Sequence, residues 1–538
     1  MGMSVTEPGA SGKTGEGGTG AGLRWEAPDP VAYQAAVQPG APACVDLATG
    51  ERLTYEALHR RIDRRAAWLI RCLDVEPGQG AGGRRVAWLG RNGIDQLIMA
   101  FACVRAGAVF VPLNWRLTVP ELAVLVNDAT PSLLIHGDGF ATTAQGVGEG
   151  VRGTVPGLRL VDAASVRNGQ ETAEPVTGLP PRDAGAPSII IYTSGTSGQP
   201  KGAIHTEQTA FFTATNFALL NRVDHRSVFL CDMPLFHVIG IVTICRTTLL
   251  QGGTLLLSSG FDPVLTLERL SDPALGVTHY MCVPQMAQTL RQQPGYDPAK
   301  LSRLVFFGTG GAPNPPALVR RFVDDGVPMA DGYGSSEGGT VLGMPVDDLP
   351  RIAAKAGSAG LPPASVRLRL VDDAGEDVAD GEVGEILVRG PNVSPGYWNR
   401  AADADAGTEG WFRTGDTARR DEDGFYYIVD RKKDMFISGG ENVYPAEVEA
   451  VLLELDTVAE ACVIGIADAQ WGEVGCAFIV PRAGCSVTEQ GVIDHCRSRL
   501  ARFKTPKRIV IADELPRTAS GKLRKNLLRE QYRNETAL

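Results

Sequence analysis

The chain has 538 residues, 43% of them hydrophobic, enough to bury several cores and to predict more than one domain. Its formal charge of −10 excludes a globally basic surface for nucleic acid. No apolar run approaches the roughly 20 residues that a bilayer span needs, so no stable membrane anchor is expected. The ten scattered cysteines contain no C-x-x-C pair, which argues for reduced thiols in a cytoplasmic protein rather than a disulfide framework or zinc site.

Residues 1–22 are rich in Gly, Ser and Thr and predict a disordered tail, with folded structure beginning near Leu23 to Trp25. From Leu53, "LTYEALHRRIDRRAAWLIRCL" repeats apolar residues at helical spacing behind Thr54, a candidate cap. "RRVAWLG" reads as a buried strand, and "GIDQLIMAFACVRAGAVFVPL" as a helix ended by Gly107 and followed by another strand. The alternation continues through "PSLLIHG", "LRLVDA", "SIIIYT", "SVFLCDMPL", "GTLLLSS", "THYMCVP" and "RLVFFGTGG", predicting an α/β protein with mainly parallel sheets. Between about 365 and 430, closely spaced strands with turn glycines predict an antiparallel β subdomain. A smaller α+β unit follows a charged boundary at Lys432 to Asp434, with a helix from Pro445, strands in "VAEACVIGIAD" and "CAFIVP", and a helix in "GVIDHCRSRLARF".

The strand "SIIIYT" runs into "YTSGTSGQPKG", residues 192–202. Gly195 and Gly198 permit a tight turn whose amides can converge on an anion, with Thr193, Ser194, Thr196 and Ser197 adding hydroxyl donors. Lys201 supplies a cation, and a triphosphate is the natural guest. The spacing differs from the Walker loop, which needs Gly directly before Lys and a helix after it. Pro200 stands there instead, so a hairpin or loop is expected. A solvated turn has the same composition; the remaining motifs decide between the two.

Those motifs are "PLFHVIG" at 234–240, "GTGGAP" at 308–313, "DGYGSSEGG" at 331–339, "WFRTGDTARRDEDGFYYIVDRKKDMFISGGENVYPAEVE" at 411–449 and "PRTASGKLRK" at 516–525. With the opening loop, this ordered set strongly resembles the adenylate-forming superfamily of acyl-CoA synthetases, peptide-synthetase adenylation domains and luciferases, over roughly residues 45 to 530. The resemblance implies Mg²⁺-ATP-dependent conversion of a carboxylic acid to acyl-AMP with release of pyrophosphate, then transfer to coenzyme A. The alternative acceptor is a carrier-protein phosphopantetheine, or the chain performs only the first half-reaction. It also implies a large N-terminal domain, residues 23–432, of two mainly parallel α/β subdomains plus the β subdomain. A small mobile lid, residues 433–538, would complete the molecule.

By matching position, the resemblance places Thr193 to Lys201 around the β- and γ-phosphates and Tyr333 against adenine. Gly310, Gly311, Ala312, Asp331, Gly332 and Ile428 would contribute to the nucleotide site. Ser336, where members commonly have Thr, would touch the α-phosphate, and Glu337 would help hold Mg²⁺. Asp416 would accept both ribose hydroxyls, with Arg431 near ribose and phosphate. His237 would lie beside the acid's carboxylate, gating or packing, because an ionised acid needs no base.

Lys522 is implied as the lid residue that reaches the carboxylate and α-phosphate. Only ten residues of the chain are lysine, which weighs against its being one more charge of a basic tail with Arg524, Lys525 and Arg529. Lys433 falls at the hinge position, and Gly439 and Gly440 would line a tunnel for the pantetheine thiol. Arg502, Lys504, Lys507 and Arg508 either bind coenzyme A phosphates or form a solvated basic face.

Acetate-specialised members carry Trp at the position of Gly334. Its absence, with Gly308 to Gly310 and Gly332 to Gly334 leaving volume, implies a larger fatty, aromatic or alicyclic acid. The oligomeric state stays open, a homodimer being one option.

Overall fold

The computed structural model describes residues 26, 29–75, 81–170, 183–193, 200–312, 314–400, 410–432, 434–438, 441–468, 471–517 and 523–536. The N-terminal tail, Ser194, Gly195, Thr196, Ser197, Gly198, Lys433, Gly439, Gly440 and Lys522 lie outside the described residues.

Two mainly parallel sheets form the body. The six-stranded one runs in the order Arg159–Asp162, Leu133–His136, Arg85–Leu89, Val109–Leu113, Pro187–Thr193, Lys201–Thr206. Its neighbours are parallel except the last pair, an antiparallel hairpin. The eight-stranded sheet orders Gly339–Gly343, Met329–Ser335, Phe306–Thr309, His279–Cys282, Val228–Cys231, Thr254–Leu257, Pro42–Asp46 and Arg52–Thr54, parallel inside and antiparallel at both edges. The helices start and stop for local reasons: Thr54 accepts a hydrogen bond from the Ala57 amide at 3.2 Å to open Tyr55–Cys72, and Gly107 closes Ile94–Ala106.

One antiparallel edge in each sheet matters for function. The hairpins Pro187–Thr206 and Met329–Gly343 both turn beyond the carboxyl ends of the parallel strands, where open α/β sheets offer their ligand crevice. The first is the doubling-back that Pro200 predicted: Thr193 pairs with Lys201 and Tyr192 with Gly202.

The β subdomain is a four-stranded antiparallel sheet of Arg367–Val371, Val383–Arg389, Phe412–Arg420 and Tyr426–Arg431. The C-terminal unit has its own core around Phe436, Val448, Val463 and Ile479. Its two long strands, Val458–Asp468 and Gly472–Pro481, are joined by a parallel strand, Arg508–Ile511, that the pattern did not single out.

Of the helical segments that escaped the pattern, three bear on the site. Glu207–Asn221 is buried on several sides, so it shows no apolar stripe. Thr206 opens it by accepting from the Thr209 amide at 3.1 Å. Its first residue, Glu207, forms a two-pronged buried pair with Arg246, at 2.6 and 2.7 Å, tying it to helix Arg246–Gln251. Ile239–Cys245, starting two residues after His237, is a π-helix running into that same helix; such wide turns recur at functional sites. Lys525–Thr536 is the third, and it turns the supposed basic tail into an ordered element.

Candidate active site

A cleft of about 2410 Å³ is lined by residues of both sheets, the β subdomain and the C-terminal unit. It exceeds the few hundred to 1,000 Å³ of an ordinary ligand pocket, as two large substrates require. Thr193 and Lys201 enter it from the first hairpin, and the Lys201 ammonium lies 4.7 Å from the centre of the Tyr397 ring. Gly310, Gly311 and Ala312 follow the strand Phe306–Thr309 into the same wall.

The second hairpin supplies the opposite wall. Asp331, Gly332, Tyr333, Ser336 and Glu337 all line the cleft. The Tyr333 hydroxyl donates to Asp416 Oδ2 at 2.6 Å, so the residue expected at adenine and the carboxylate expected at ribose already touch. Asp416 is held by its backbone: its amide donates to Thr414 Oγ1 at 3.1 Å, and it pairs in strand register with Arg431. Ile428 lies on the Arg431 strand, paired with Ala418 of the Asp416 strand, and also lines the cleft. Glu337 is fixed at both ends, its Oε1 accepting from the Tyr397 hydroxyl and its carbonyl from the Ser394 amide, each at 2.7 Å.

Asp331 carries the best-defined electrostatic anomaly. Asn314 Nδ2 donates to its Oδ1 at 2.7 Å, and the Thr309 hydroxyl donates to the same oxygen. Enclosure pushes the carboxyl up to about 6 although both hydrogen bonds pull it down. The fold therefore binds this proton more tightly than the unfolded chain does. Its contribution to stability is complete below pH 4 and falls by up to about 3 kcal/mol as pH rises to about 6. Asp331→Asn should remove that slope from the urea midpoint measured between pH 4.5 and 6.5; identical slopes in both proteins would show that Asp331 does not titrate there.

His205 and His279 do not line the cleft. Burial holds His205 and His279 down to about 4, leaving them neutral at pH 7. His237 lines the cleft beside Phe236, ring centroids 6.4 Å apart, and its backbone carbonyl accepts from the Ile241 amide at 3.1 Å as the helical segment begins.

The glycines require a correction. Gly308 is not on the cleft wall, and a Cβ there would overlap the Phe306 ring. At Gly334 a Cβ would overlap the Gly339 carbonyl oxygen across the hairpin. Gly339 itself has φ 58 and sits against the Thr213 hydroxyl. Gly334 lines the cleft, but with this backbone spacing a side chain there must also displace the Gly339 carbonyl, so Gly334→Trp would disturb the hairpin as well as fill the acid site.

At the lid side, Lys504, Arg517, Leu523, Arg524, Lys525 and Arg529 reach the cleft. Arg517 and Leu523 form an antiparallel bridge on either side of the residues that include Lys522. Burial alone would lower the Lys525 ammonium, but Glu449, 2.9 Å away, and Asp430 raise it above the ordinary lysine value. Arg529 pairs with Asp434 at 3.0 Å and Lys504 with both oxygens of Glu447 at 2.7 Å. Lys507 packs 4.5 Å from the centre of the Trp471 ring. The expected solvated basic face is therefore partly committed to internal pairs.

Asn314 and Tyr397 line the cleft from outside the motifs, and Thr309, inside "GTGGAP", was not singled out within it. Asn314 directly follows "GTGGAP", and Tyr397 sits in a Pro-Gly turn, "NVSPGYWN", that reads as an ordinary connection.

The paired hairpins, the buried Asp416 and the C-terminal unit over the cleft define a nucleotide-using enzyme of two-part construction. The family model described as AMP-binding enzyme matches residues 31–398, and that of the AMP-binding enzyme C-terminal domain matches residues 447–522. The chain belongs to the AMP-binding enzyme family. It is 41% identical over 484 residues to a feruloyl-CoA synthase of Amycolatopsis sp., covering 90% of this chain and 94% of that one. It is 37% identical over 462 residues to an indoleacetate–CoA ligase of Aromatoleum aromaticum, covering 84% and 89%. Among solved structures, the O-succinylbenzoate coenzyme A synthetase of Bacillus subtilis in complex with ATP and magnesium superposes with a TM-score of 0.82 at 29% identity, covering 95% of this chain and 100% of that one.

The chain is accordingly an AMP-forming acid–thiol ligase that uses ATP, Mg²⁺ and coenzyme A. A carboxylate oxygen displaces pyrophosphate at the α-phosphorus, and the thiol then displaces AMP from the acyl carbon. The alternative of stopping at the first half-reaction or loading a carrier protein finds no support in these relatives. Among the described residues no helix is long and apolar enough to cross a membrane.

Proposed function

We propose that the acid is an aryl-substituted carboxylic acid of about the size of ferulate or indoleacetate. The observation that carries this reading is the wall beyond His237, where Phe217, Phe236, Ile239, Met281, Phe306 and Leu342 line the cleft. Phe217 and Phe306 meet edge to face at 5.6 Å, leaving a rigid aromatic surface suited to a planar ring. The names of the two relatives point the same way.

In this reading Lys201 and the hydroxyls from Thr193 onward hold the outer phosphates, Tyr333 flanks adenine, and Asp416 takes the ribose hydroxyls. Ser336 contacts the α-phosphate. Among the described residues no cluster of three or more His, Cys, Asp or Glu could hold a metal by itself. One carboxylate, Glu337, beside the hydroxyl of Ser336 is instead the oxygen set that suits Mg²⁺ carried mainly by phosphates and water. That ion, when bound, neutralises phosphate charge. Lys522 would reach the attacking carboxylate from the lid, and Lys433 would be the hinge about which the lid turns to bring the Gly439-Gly440 stretch to line the thiol's tunnel. Cytoplasmic location is supported by the ten free cysteines.

A panel of acids with Mg²⁺-ATP and coenzyme A, read by mass spectrometry, tests the substrate class. Aryl acids should exceed acetate in kcat/KM by at least about 100-fold, the scale expected from burying several ring carbons. Preferred turnover of acetate, or of unbranched fatty acids over all aryl acids, would refute the reading.

A further inference from the structure

Lys201 and Glu337 belong to hairpins on different sheets, and a third segment, residues 392–400 of the β subdomain, makes hydrogen bonds to both hairpins. That segment is stitched to both. Toward the first hairpin, the Ile204 amide donates to the Gly396 carbonyl at 3.0 Å, the Trp398 amide to the Gly202 carbonyl at 2.8 Å, and Ser394 Oγ to the Ile204 carbonyl at 2.7 Å. Toward the second, the Ser394 amide donates to the Glu337 carbonyl at 2.7 Å, and Asn392 Nδ2 to the Gly338 carbonyl at 2.6 Å.

Tyr397 lies at the centre of this strap and lines the cleft. Its hydroxyl donates to Glu337 Oε1 at 2.7 Å, and its ring centre is 4.7 Å from the Lys201 ammonium. Both interactions involve a charged partner. A hydroxyl-to-carboxylate bond is stronger than a neutral one and fixes the carboxylate's rotamer. A ring face attracts an ammonium without neutralising it.

We propose that Tyr397 is a positioning residue for ATP activation, holding the Glu337 carboxylate and the Lys201 ammonium at a set separation before Mg²⁺-ATP arrives. The proposal rests on the reading of Glu337 and Lys201 given above. It assigns the strap a task that a mere connection between strands would not have. Preorganised charges need no reorganisation when the nucleotide binds, so loss of the hydroxyl should weaken the contribution of the metal in particular.

The test compares Tyr397→Phe, Tyr397→Leu and Glu337→Gln with the full-length parent. Calorimetry measures ATP affinity with and without Mg²⁺, and acyl-AMP formation is assayed separately from thioester formation starting from supplied acyl-AMP. Tyr397→Phe should leave metal-free ATP affinity within about twofold, since its ring still faces Lys201, while cutting the gain conferred by Mg²⁺ about tenfold. It should slow acyl-AMP formation to a similar degree and spare thioester formation. Tyr397→Leu should additionally weaken metal-free ATP binding. An unchanged Mg²⁺ gain in Tyr397→Phe, or equal loss of both half-reactions, overturns the proposal. Should Glu337→Gln itself leave the Mg²⁺ gain intact, the reading of Glu337 fails and the proposal falls with it; loss of the gain in Glu337→Gln but not in Tyr397→Phe overturns the role of Tyr397 alone.

Discussion

Lys522→Ala is expected to slow acyl-AMP formation by about 1,000-fold while leaving thioester formation from supplied acyl-AMP within about threefold of the parent. The first half-reaction brings an anionic carboxylate onto an anionic α-phosphate, so a cation aimed at both lowers the barrier mainly in the transition state. Two nearby cations are poorly placed to substitute, because Lys525 is engaged by Glu449 and Arg529 by Asp434. Arg517 and Leu523, which bracket the segment, both line the cleft. Quenched-flow measurement of acyl-AMP, with the second half-reaction run in parallel, checks the assignment. Equal loss of both steps would mean that Lys522 acts through the fold instead.

Lys433→Pro should do the opposite, sparing acyl-AMP formation and slowing thioester formation by at least about 100-fold. Its neighbours belong to different bodies. The Lys432 amide donates to the Gly415 carbonyl at 2.9 Å and its ammonium lies 2.7 Å from Asp373, both in the β subdomain. Asp434 pairs instead with Arg529 of the C-terminal helix. A rotation of the lid must therefore be absorbed within very few backbone angles, and proline locks one of them. Accumulation of acyl-AMP in the presence of coenzyme A is the signature to look for. Normal turnover would place the pivot elsewhere.

Much of this architecture was legible because its signals are local. The helix behind Thr54, the stop at Gly107 and the hairpin forced by Pro200 each depend on residues adjacent in sequence, and each formed as expected. The α/β alternation likewise requires only that short apolar runs be separated by helical ones. Helix Glu207–Asn221 was harder to read because burial on several faces erases amphipathic periodicity. Gly334 was read as volume for substrate; it lines the cleft, and its close approach to the Gly339 carbonyl across the hairpin is a further constraint that spacing along the chain does not show.

By itself, then, the chain's order of residues determined the fold class, the two-part organisation and the set of motifs that meet at the cleft. Strands, caps and turns are short-range consequences of side-chain size, polarity and backbone freedom. Only the tertiary structure decided which charges face one another. The bond from Tyr333 to Asp416 spans 83 residues, that from Tyr397 to Glu337 spans 60, and the Asp331 carboxyl acquires its raised affinity for a proton from enclosure between two strands and Asn314. Such pairings depend on how sheets stack and on how little water remains between them, and no spacing along the chain encodes either quantity.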